Sequence, residues 1–237
     1  MTGSAPDLRR ERIDYHEGTL TEADAGRDPH ALFDRWMQDA ITRRDEKDDL
    51  PEPNAMVVAT ADRATGQPHS RTVLLKGHED GRFLFFTNYE SAKGREIAEN
   101  DRVAINFTWF PLQRQIRIEG TAAKLPGAES DAYHDVRPRG AQIGAWASPQ
   151  SQTITDREEL NRRNEEAAAR FDGEDTVPRP PHWGGYAVTA HRFEFWQGGG
   201  DRLHDRLVFE PVGPDTDGAS PASPSARSEW TVTRLAP

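Results

Sequence analysis

The side chains with the clearest chemical potential in this sequence are cationic and lie close to aromatic residues. They occur as Arg71 with Lys76, Lys93, Arg137 with Arg139, and Arg202 with His204 and Arg206. Such clusters bind anions, because a guanidinium group offers a planar fork of donors to anionic oxygens. The whole chain carries a formal net charge of -10, so an anion site must be local. Sequence-independent nucleic-acid binding, which needs an excess of basic residues, is not expected.

The spacing of Arg202, His204 and Arg206 predicts that their side chains share an orientation. If residues 202–206 are extended, Arg202, His204 and Arg206 project from one face of the strand. A face with three cations favours an anionic ligand. The alternative is that these cations form surface ion pairs with Asp201 and Asp205, because ion-pair networks resemble binding sites in sequence.

At two further places the residues alone do not decide between alternative structures. Arg71 and Lys76 have opposite parity in a strand, so only a strand end or a bulge would bring them together. Trp196 precedes the glycines at 198–200. This segment is either a flexible loop after an edge strand or a place where the backbone approaches a flat ligand.

Several classes of site are disfavoured. The chain has no cysteine, which excludes disulfide scaffolds, thiolate zinc sites and cysteine nucleophiles. Phosphate-loop, dinucleotide-binding and zincin motifs are missing, and the eight histidines lack ligand-like spacing, so we expect no metal site. The N-terminus has no apolar targeting segment, and no stretch approaches the roughly 20 apolar residues of a membrane span. We therefore expect a cytoplasmic protein without a membrane partner.

The elements that must position these residues are short strands with inserted helices. A helix begins at Asp28-Pro29 and keeps apolar residues at three-four spacing to Ile41. The pattern predicts further helices at 92–100, 126–136, 138–147 and 155–171, the last with a capping box of Thr155 and Glu158. Strands are predicted at 56–60, 70–76, 83–87, 103–109, 113–123, 186–196, 206–209 and 230–235. Short turns make the strands antiparallel, which predicts an α+β protein built around a small barrel of six to eight strands.

The chain reads as one domain with an arm and an insertion. Residues 1–27 are charged and lack periodicity, so we expect a flexible N-terminal arm. Residues 28–237 form the folded domain. Within it, residues 211–228 are rich in Pro, Gly, Ser, Ala and Asp and predict a disordered insertion.

Five motifs occur in a specific order along the chain. They are NAMVVAT (54–60), RTVLLK (71–76), RPRGAQIGAW (137–146), FWQGG (195–199) and RLHDR (202–206). With these motifs the chain resembles the pyridoxamine 5'-phosphate oxidases, an FMN-dependent family. The resemblance runs from Arg12 to the C-terminal Arg-Leu-Ala-Pro and is interrupted mainly by residues 211–228.

The resemblance implies a split β-barrel homodimer that holds FMN at the subunit interface. It implies FMN contacts from Arg71, Thr72, Val73, Leu74, Leu75, Lys76, Phe86, Thr87, Lys93, Gln115, Gln150, Ser151, Trp196 and Arg206. It implies substrate contacts from Arg12, Tyr15, Lys76, Tyr133, Arg137, Arg202 and His204. Arg202 and His204 would orient the substrate and assist proton removal, and the arm that carries Arg12 and Tyr15 would close over the site as a lid.

The implied reaction is oxidation of pyridoxine or pyridoxamine 5'-phosphate to pyridoxal 5'-phosphate, with O₂ as acceptor and H₂O₂ as product. The alternatives are another flavin- or deazaflavin-dependent split-barrel reductase and a non-catalytic binder of FMN or pyridoxal phosphate. The chain departs from the family pattern at Ala92, where a basic residue is usual, at Ala141, where a serine is usual, and at Phe86, which replaces a tyrosine. Each change removes one polar contact, which is typically worth about 1.5 to 3 kcal/mol when a charged group is involved.

Overall fold

The fold is a single curled antiparallel sheet with helices packed around it. The computed structural model describes Leu8, residues 13–213 and residues 229–237, which form nine strands and six α-helices. The strands are β1 (Ala55–Ala61), β2 (Pro68–Leu74), β3 (Gly77–Glu79), β4 (Arg82–Asn88), β5 (Arg102–Trp109), β6 (Arg114–Lys124), β7 (Trp183–Gln197), β8 (Asp205–Pro211) and β9 (Trp230–Arg234). The helices are α1 (Glu22–Ala25), α2 (Pro29–Lys47), α3 (Ala92–Glu99), α4 (Gly127–Asp135), α5 (Arg139–Ala147) and α6 (Arg157–Arg170).

Strand β7 organises the sheet because it has different partners at its two ends. The strand order is β2-β1-β5-β6-β7-β4-β3, and β8 pairs with both β7 and β9. Along one edge β7 pairs with β6 over almost its whole length; along the other it pairs with β4 through residues 183–189 and with β8 through residues 193–197. The sheet therefore divides at β7 and curls into a half barrel, which confirms the predicted α+β split barrel.

A bulge bends the central pair of strands. The register between β6 and β7 shifts between Glu119 and Gly120, so that Glu119 pairs with Arg192 but Gly120 pairs with Ala190. A Cβ atom on Gly120 would lie 2.4 Å from the carbonyl oxygen of Thr189. Only glycine allows the two backbones to approach this closely, and bulges of this kind increase sheet curvature.

The core forms where the alternating strands meet helix α2. Strand β5 alternates, and its buried side chains are Val103, Ile105, Phe107 and Trp109. On α2, Phe33 lies with its ring centroid 4.9 Å from Phe83 and 5.3 Å from Phe107. Burial of large aromatic side chains is the main stabilising contribution of this interface.

Some element boundaries differ from the predictions. Helix α2 continues to Lys47 and ends with Asp48 in the left-handed conformation, because charged residues extend a helix even after the apolar pattern stops. The capping residue of α6 is Asp156, which accepts a hydrogen bond from the Glu159 amide, so the predicted Thr155–Glu158 box is wrong by one residue. Strand β3 has three residues and was missed because so short a segment carries no periodicity.

The two segments that were predicted to lack order are described only in part. Residues 13–27 pack on the barrel and include α1, whose capping box was not predicted, and Leu20 is buried there. Strand β8 extends to Pro211, the first residue of the predicted insertion. Arg12 and residues 214–228 lie outside the described residues. No helix of the described part of the chain is long and apolar enough to cross a membrane.

Candidate active site

Most of the predicted FMN contacts line one cavity, together with three of the predicted substrate contacts, Lys76, Tyr133 and Arg137. It has a volume of about 780 Å³ and lies between β2, β4, the start of α3 and the helices α4 and α5. Its lining consists of Arg71, Thr72, Val73, Leu74, Lys76, Phe86, Thr87, Ala92, Lys93, Tyr133, Arg137, Pro138, Ala141, Gln150, Ser151 and Trp183. We call this space the cation cavity. Leu75, which was also predicted, instead places its side chain in the hydrophobic core.

A strand end brings Arg71 and Lys76 to the same cavity. Strand β2 ends at Leu74, so the alternation of side chains stops before Lys76. The amide of Lys76 then donates to the carbonyl oxygen of Leu84 across the turn. Of the two possibilities that the sequence left open, the strand end is the one that occurs.

Lys93 is a buried cation at the base of the cavity. Its side chain follows Ser91, the capping residue of α3, and is 7% exposed. The Nζ atom lies 3.0 Å from Thr87 Oγ1 and from Gln150 Oε1, and 3.3 Å from Ser91 Oγ. Burial, with a contribution from Arg71, lowers the pKa of Lys93 to about 8. Since neutral oxygens surround this ammonium group, it is a site for an anion.

Arg71 is held in place by groups that the sequence analysis did not identify. Its Nη1 atom donates to Thr60 Oγ1 at 2.5 Å, and its Nη2 atom lies 3.3 Å from Glu96 Oε2. Glu96 also accepts from the Thr60 hydroxyl and lies 2.8 Å from His69 Nδ1. Burial opposes the charge of Glu96, but these contacts outweigh it and lower its pKa. The carboxylate therefore stays ionised and fixes the guanidinium plane.

Arg137 lies beside a group of aromatic rings that line the same cavity. The Phe86 ring stacks on Tyr133 at a centroid distance of 3.9 Å, and the Arg137 guanidinium carbon lies 4.4 Å from the centre of the Trp183 ring. The Nη1 atom of Arg137 is buried and has no hydrogen-bond partner among the described residues. Burial lowers the pKa of this guanidinium. An unsatisfied buried donor of this kind is satisfied by an anionic ligand.

Arg139 does not belong to this group. Its Nη2 atom donates to the carbonyl oxygen of Phe171 at 2.6 Å, which turns the guanidinium away from the cavity. Arg139 therefore cannot replace the polar contact that is missing at Ala141. It does provide a matched control for Arg137 in experiments.

The other predicted residues form a separate cluster at the far end of β7. In the sheet register Gln115 pairs with Trp196, and Trp196 pairs with Arg206. The His204 ring lies 4.6 Å from the Trp196 ring, and the Tyr15 ring lies 5.9 Å from Trp196. We call the group of Tyr15, Gln115, Trp196, Arg202, His204 and Arg206 the aromatic cluster.

The prediction that residues 202–206 are extended is wrong. Residues Gly200–Arg202 form a 3₁₀ turn, Asp201 and Arg202 have φ angles of 52° and 66°, and β8 begins only at Asp205. Gly199 permits this turn, because a Cβ atom there would lie 2.4 Å from the carbonyl oxygen of Leu203. Arg202, His204 and Arg206 therefore do not share a strand face.

Arg206 is already paired within the protein. Its Nε atom donates to Glu194 Oε1 at 2.8 Å, and its Nη1 atom donates to the carbonyl oxygen of Ala236 at 2.9 Å. Glu194 is only 3% exposed and also accepts from Arg117. An ion pair was the predicted alternative, but the partner is Glu194 rather than Asp201 or Asp205.

The contacts of His204 assign its neutral tautomer. The amide of Gly199 donates to Nδ1 at 3.1 Å, so a neutral ring carries its proton on Nε2. Burial and the nearby Arg202 charge lower the pKa of His204. At neutral pH the ring is therefore a hydrogen-bond donor through Nε2.

The cation cavity and the aromatic cluster lie at opposite ends of β7. Thr87, which lines the cavity, pairs with Gly184, whereas Gln115 pairs with Trp196. These positions on β7 are 12 residues apart, a contour of roughly 40 Å at about 3.3 Å per residue. One chain thus presents two separate groups of predicted ligand contacts.

Comparison with known families accounts for nearly the whole chain. Residues 44–171 match the model of the pyridoxamine 5'-phosphate oxidase family, and residues 183–237 match the pyridoxine 5'-phosphate oxidase C-terminal dimerisation region. Among curated relatives, the pyridoxine/pyridoxamine 5'-phosphate oxidase of Bordetella pertussis is 48% identical over 99% of this chain and 100% of its own length. That of Rubrobacter xylanophilus is 50% identical over 90% of this chain and 94% of its own length.

Solved structures show the same fold. PhzG from Burkholderia lata, in complex with tetrahydrophenazine-1-carboxylic acid, superposes with a TM-score of 0.78 at 31% identity, covering 93% of this chain and 98% of its own. A pyridoxamine 5'-phosphate oxidase-related, FMN-binding protein from Nostoc punctiforme superposes with a TM-score of 0.61 at 16% identity, covering 86% and 96%. The second likeness concerns the fold alone.

The donors in the cation cavity fit the cofactor of this family. FMN ends in a phosphate dianion, and the buried Lys93 beside Arg71 supplies two cations together with the hydroxyl of Thr87. The hydrogen-bond partners of the Lys93 ammonium group among the described residues are neutral oxygens, so an anionic ligand suits it. FMN is the cofactor, and this chain belongs to the pyridoxine/pyridoxamine 5'-phosphate oxidase family.

Proposed function

We propose that this chain oxidises pyridoxine 5'-phosphate or pyridoxamine 5'-phosphate to pyridoxal 5'-phosphate, with O₂ as acceptor and H₂O₂ as product. The observation that carries the proposal is that four cations, Arg71, Lys76, Lys93 and Arg137, line the one cation cavity. The charge of Arg71 acts on Lys93, so we assign these two to one phosphate and Lys76 and Arg137 to the other. Four cations suit two phosphates, one from the cofactor and one from the substrate.

The reaction breaks one C–H bond at the carbon that bears the alcohol or amine and one O–H or N–H bond of that group, and O₂ takes up the two electrons and two protons as H₂O₂. FMN, when bound, supplies the redox chemistry by accepting the electrons and passing them to O₂. In the amine route, water then hydrolyses the resulting imine and ammonia leaves. The chain itself supplies binding, orientation and electrostatics.

The four cations have two distinct roles in this scheme. Arg71 and Lys93 hold the cofactor phosphate, with Thr72, Thr87 and Ser151 as neutral donors. Lys76, Tyr133 and Arg137 hold the substrate phosphate, so that its ring lies toward the cofactor. Anchoring both molecules by their phosphates limits the orientations that they can adopt, which is the main source of rate enhancement by proximity.

Arg202 and His204 act on the substrate ring rather than on its phosphate. His204 donates through Nε2, because Gly199 already occupies its Nδ1 atom. It therefore orients the substrate as a donor, and it could accept a proton only by giving up the Gly199 contact. The Arg202 charge favours the deprotonated form of the substrate amine or alcohol and so assists proton removal.

The separation of the two groups along β7 supports a shared site in a homodimer. We infer that the cation cavity of one subunit is completed by the aromatic cluster of its partner, with Gln115, Trp196 and Arg206 next to the cofactor. The matched dimerisation region, residues 183–237, includes four residues of this cluster, namely Trp196, Arg202, His204 and Arg206. Two exposed apolar side chains lie in the turns next to this cluster: Leu203 is 73% exposed and Phe110 is 79% exposed. We expect a second copy of the chain to cover them.

The assay uses FMN-loaded protein in air with each vitamer phosphate. We expect pyridoxal 5'-phosphate and H₂O₂ in equal amounts from both substrates, and ammonia from the amine only. Arg137→Met should raise KM strongly, whereas Arg139→Met should not, since Arg139 contacts Phe171 instead. Flavin that stays bound without consumption of O₂ would contradict the proposal and favour a reductase or a carrier.

Two further measurements separate the remaining alternatives. PhzG was solved in complex with tetrahydrophenazine-1-carboxylic acid, which has no phosphate. Tighter binding of that acid than of either vitamer phosphate, unaffected by Arg137→Met, would indicate a substrate of the PhzG kind. Dilution to monomers should release FMN, and a monomer that retains FMN would refute the shared site.

A further inference from the structure

An ionic network joins the N-terminal segment to the end of the barrel. The guanidinium of Arg234, on β9, binds both carboxylate oxygens of Glu22 at 2.7 and 3.0 Å. It also donates to the carbonyl oxygen of Leu20 at 2.9 Å and to Asp205 Oδ1 at 2.5 Å. One side chain thus contacts the N-terminal segment at two residues and β8 at its first residue.

Asp205 completes this network with its second oxygen. The Oδ2 atom accepts the amide hydrogen of Leu20 at 2.8 Å. Leu20 itself is 3% exposed, so its side chain is seated in the barrel core. We call Glu22, Asp205 and Arg234 the latch, because together they fasten the backbone at Leu20.

The segment before Leu20 is fastened at a second place and ends over the aromatic cluster. Gln113 Oε1 accepts the amides of His16 and Glu17 at 2.8 and 3.2 Å. Tyr15 packs so closely on Gly198 that a Cβ atom there would lie 2.9 Å from its ring. Its ring centroid is 5.6 Å from that of His204.

We propose that Glu22, Asp205 and Arg234 are positioning residues that hold the N-terminal segment so that Tyr15 lies over His204. Asp205 is adjacent to His204 in sequence and accepts from the same segment that carries Tyr15. The latch therefore links the N-terminal segment that carries Tyr15 to strand β8, which begins next to His204. The role of Tyr15 rests on the proposed function, whereas the fastening of Leu20 does not.

The latch acts locally rather than on the whole fold. Exposed ion pairs contribute little to global stability, and Arg234 and Glu22 are 39% and 55% exposed. Hydrogen bonding to Arg234 lowers the pKa of Glu22 to about 2, so the pair stays charged across the working pH range. We therefore expect latch variants to open the segment while the barrel remains folded.

The absence of cysteine allows a direct test of this opening. In a Leu20→Cys background, the single thiol reacts with an aromatic disulfide reagent only when the segment leaves the barrel. Asp205→Asn replaces one acceptor oxygen by a donor, so either Leu20 or Arg234 loses its partner. Glu210→Gln is the matched control, because Glu210 is on the same strand and pairs with Arg192 instead.

We expect Asp205→Asn and Glu22→Gln to accelerate thiol labelling by about fivefold or more, and Glu210→Gln to leave it unchanged. Unchanged labelling in both latch variants overturns the latch. Should Leu20→Cys not fold, hydrogen exchange of the Leu20 amide in the unlabelled protein gives the same comparison. Faster exchange in the latch variants supports the proposal, and equal exchange overturns it.

Steady-state kinetics then test the positioning of Tyr15. In the natural Leu20 background, the latch variants should raise KM for the vitamer phosphate by about 3- to 10-fold and change kcat by less than about twofold. Faster opening with unchanged KM overturns the positioning role. If the unmodified protein oxidises neither vitamer, the proposed function fails, and the labelling result still decides whether the latch fastens the segment.

Discussion

Lys93 makes FMN affinity depend on pH in a direction that the structure specifies. Burial lowers the pKa of its ammonium group from 10.5 to about 8, which corresponds to about 3 kcal/mol at 1.36 kcal/mol per pH unit. A bound phosphate dianion offsets this cost and returns the pKa toward its ordinary value. Titration of Lys93 therefore has little effect on binding well below pH 8, where the lysine is already protonated. Above pH 8 binding must take up a proton, so affinity falls.

The expected size follows from the two pKa values. If the pKa of Lys93 is near 10.5 when FMN is bound, the Kd for FMN rises roughly 25-fold between pH 7 and pH 9.5. Titration of the phosphate does not contribute to this change in Kd, because its second pKa is about 6 and it is mainly a dianion at both pH 7 and pH 9.5. Quenching of flavin fluorescence during titration of apoprotein measures Kd at each pH. Riboflavin, which lacks the phosphate, serves as the control for any titration of the ring.

Two variants determine whether Lys93 is responsible. Lys93→Met should bind FMN more weakly at pH 7 and lose the pH dependence. Arg95→Met, two residues further along α3, should behave as the unmodified protein, since Arg95 contacts the carbonyl oxygen of Glu90. A constant Kd between pH 7 and pH 9.5 in the unmodified protein, or the same slope in Lys93→Met, would refute the reasoning.

Three other substitutions have defined expected outcomes. Arg202→Gln should lower kcat/KM by about 100-fold with FMN still bound, since the exposed side chain contacts only the Tyr15 ring among the described residues; an unchanged kcat/KM would reject its role. Ile116→Ala removes a side chain that is fully buried and should cost about 2 to 5 kcal/mol in urea unfolding. Gly120→Ala should cost about 2 kcal/mol or more, because the new Cβ would lie 2.4 Å from a backbone oxygen. A change below about 0.5 kcal/mol would show that the bulge can relax.

Strands β1, β5 and β6 could be predicted from their alternation, because one face of each is buried. Val103, Ile105 and Phe107 alternate with exposed or half-buried neighbours in β5, and that period is specific to a strand. Elements without such a pattern were missed or misplaced. Helix α1 has four residues and β3 has three, and elements this short are held by contacts with the rest of the fold, which the sequence does not display.

Residues of the site were predictable by type, but their partners were not. Glu96, on α3, forms an ion pair with Arg71 on β2. Glu194, on β7, forms an ion pair with Arg206 on the neighbouring strand β8. Neither carboxylate has a sequence signal, because each meets its arginine only through packing or strand register. The parity argument for residues 202–206 failed for a related reason. Two consecutive residues there have positive φ angles, a conformation that side-chain alternation cannot reveal.

The pairing state of each cation therefore affects what it can bind. Arg206 shares the buried Glu194 with Arg117, so its charge is largely compensated before any ligand arrives. Lys93 and Arg137 make no hydrogen bond to a carboxylate among the described residues, and burial lowers the pKa of both. Burying a cation without a directly bonded counter-ion costs folding free energy, which an anionic ligand can recover. For this reason we expect Lys93 and Arg137 to contribute more to phosphate binding than Arg71, which is already paired with Glu96.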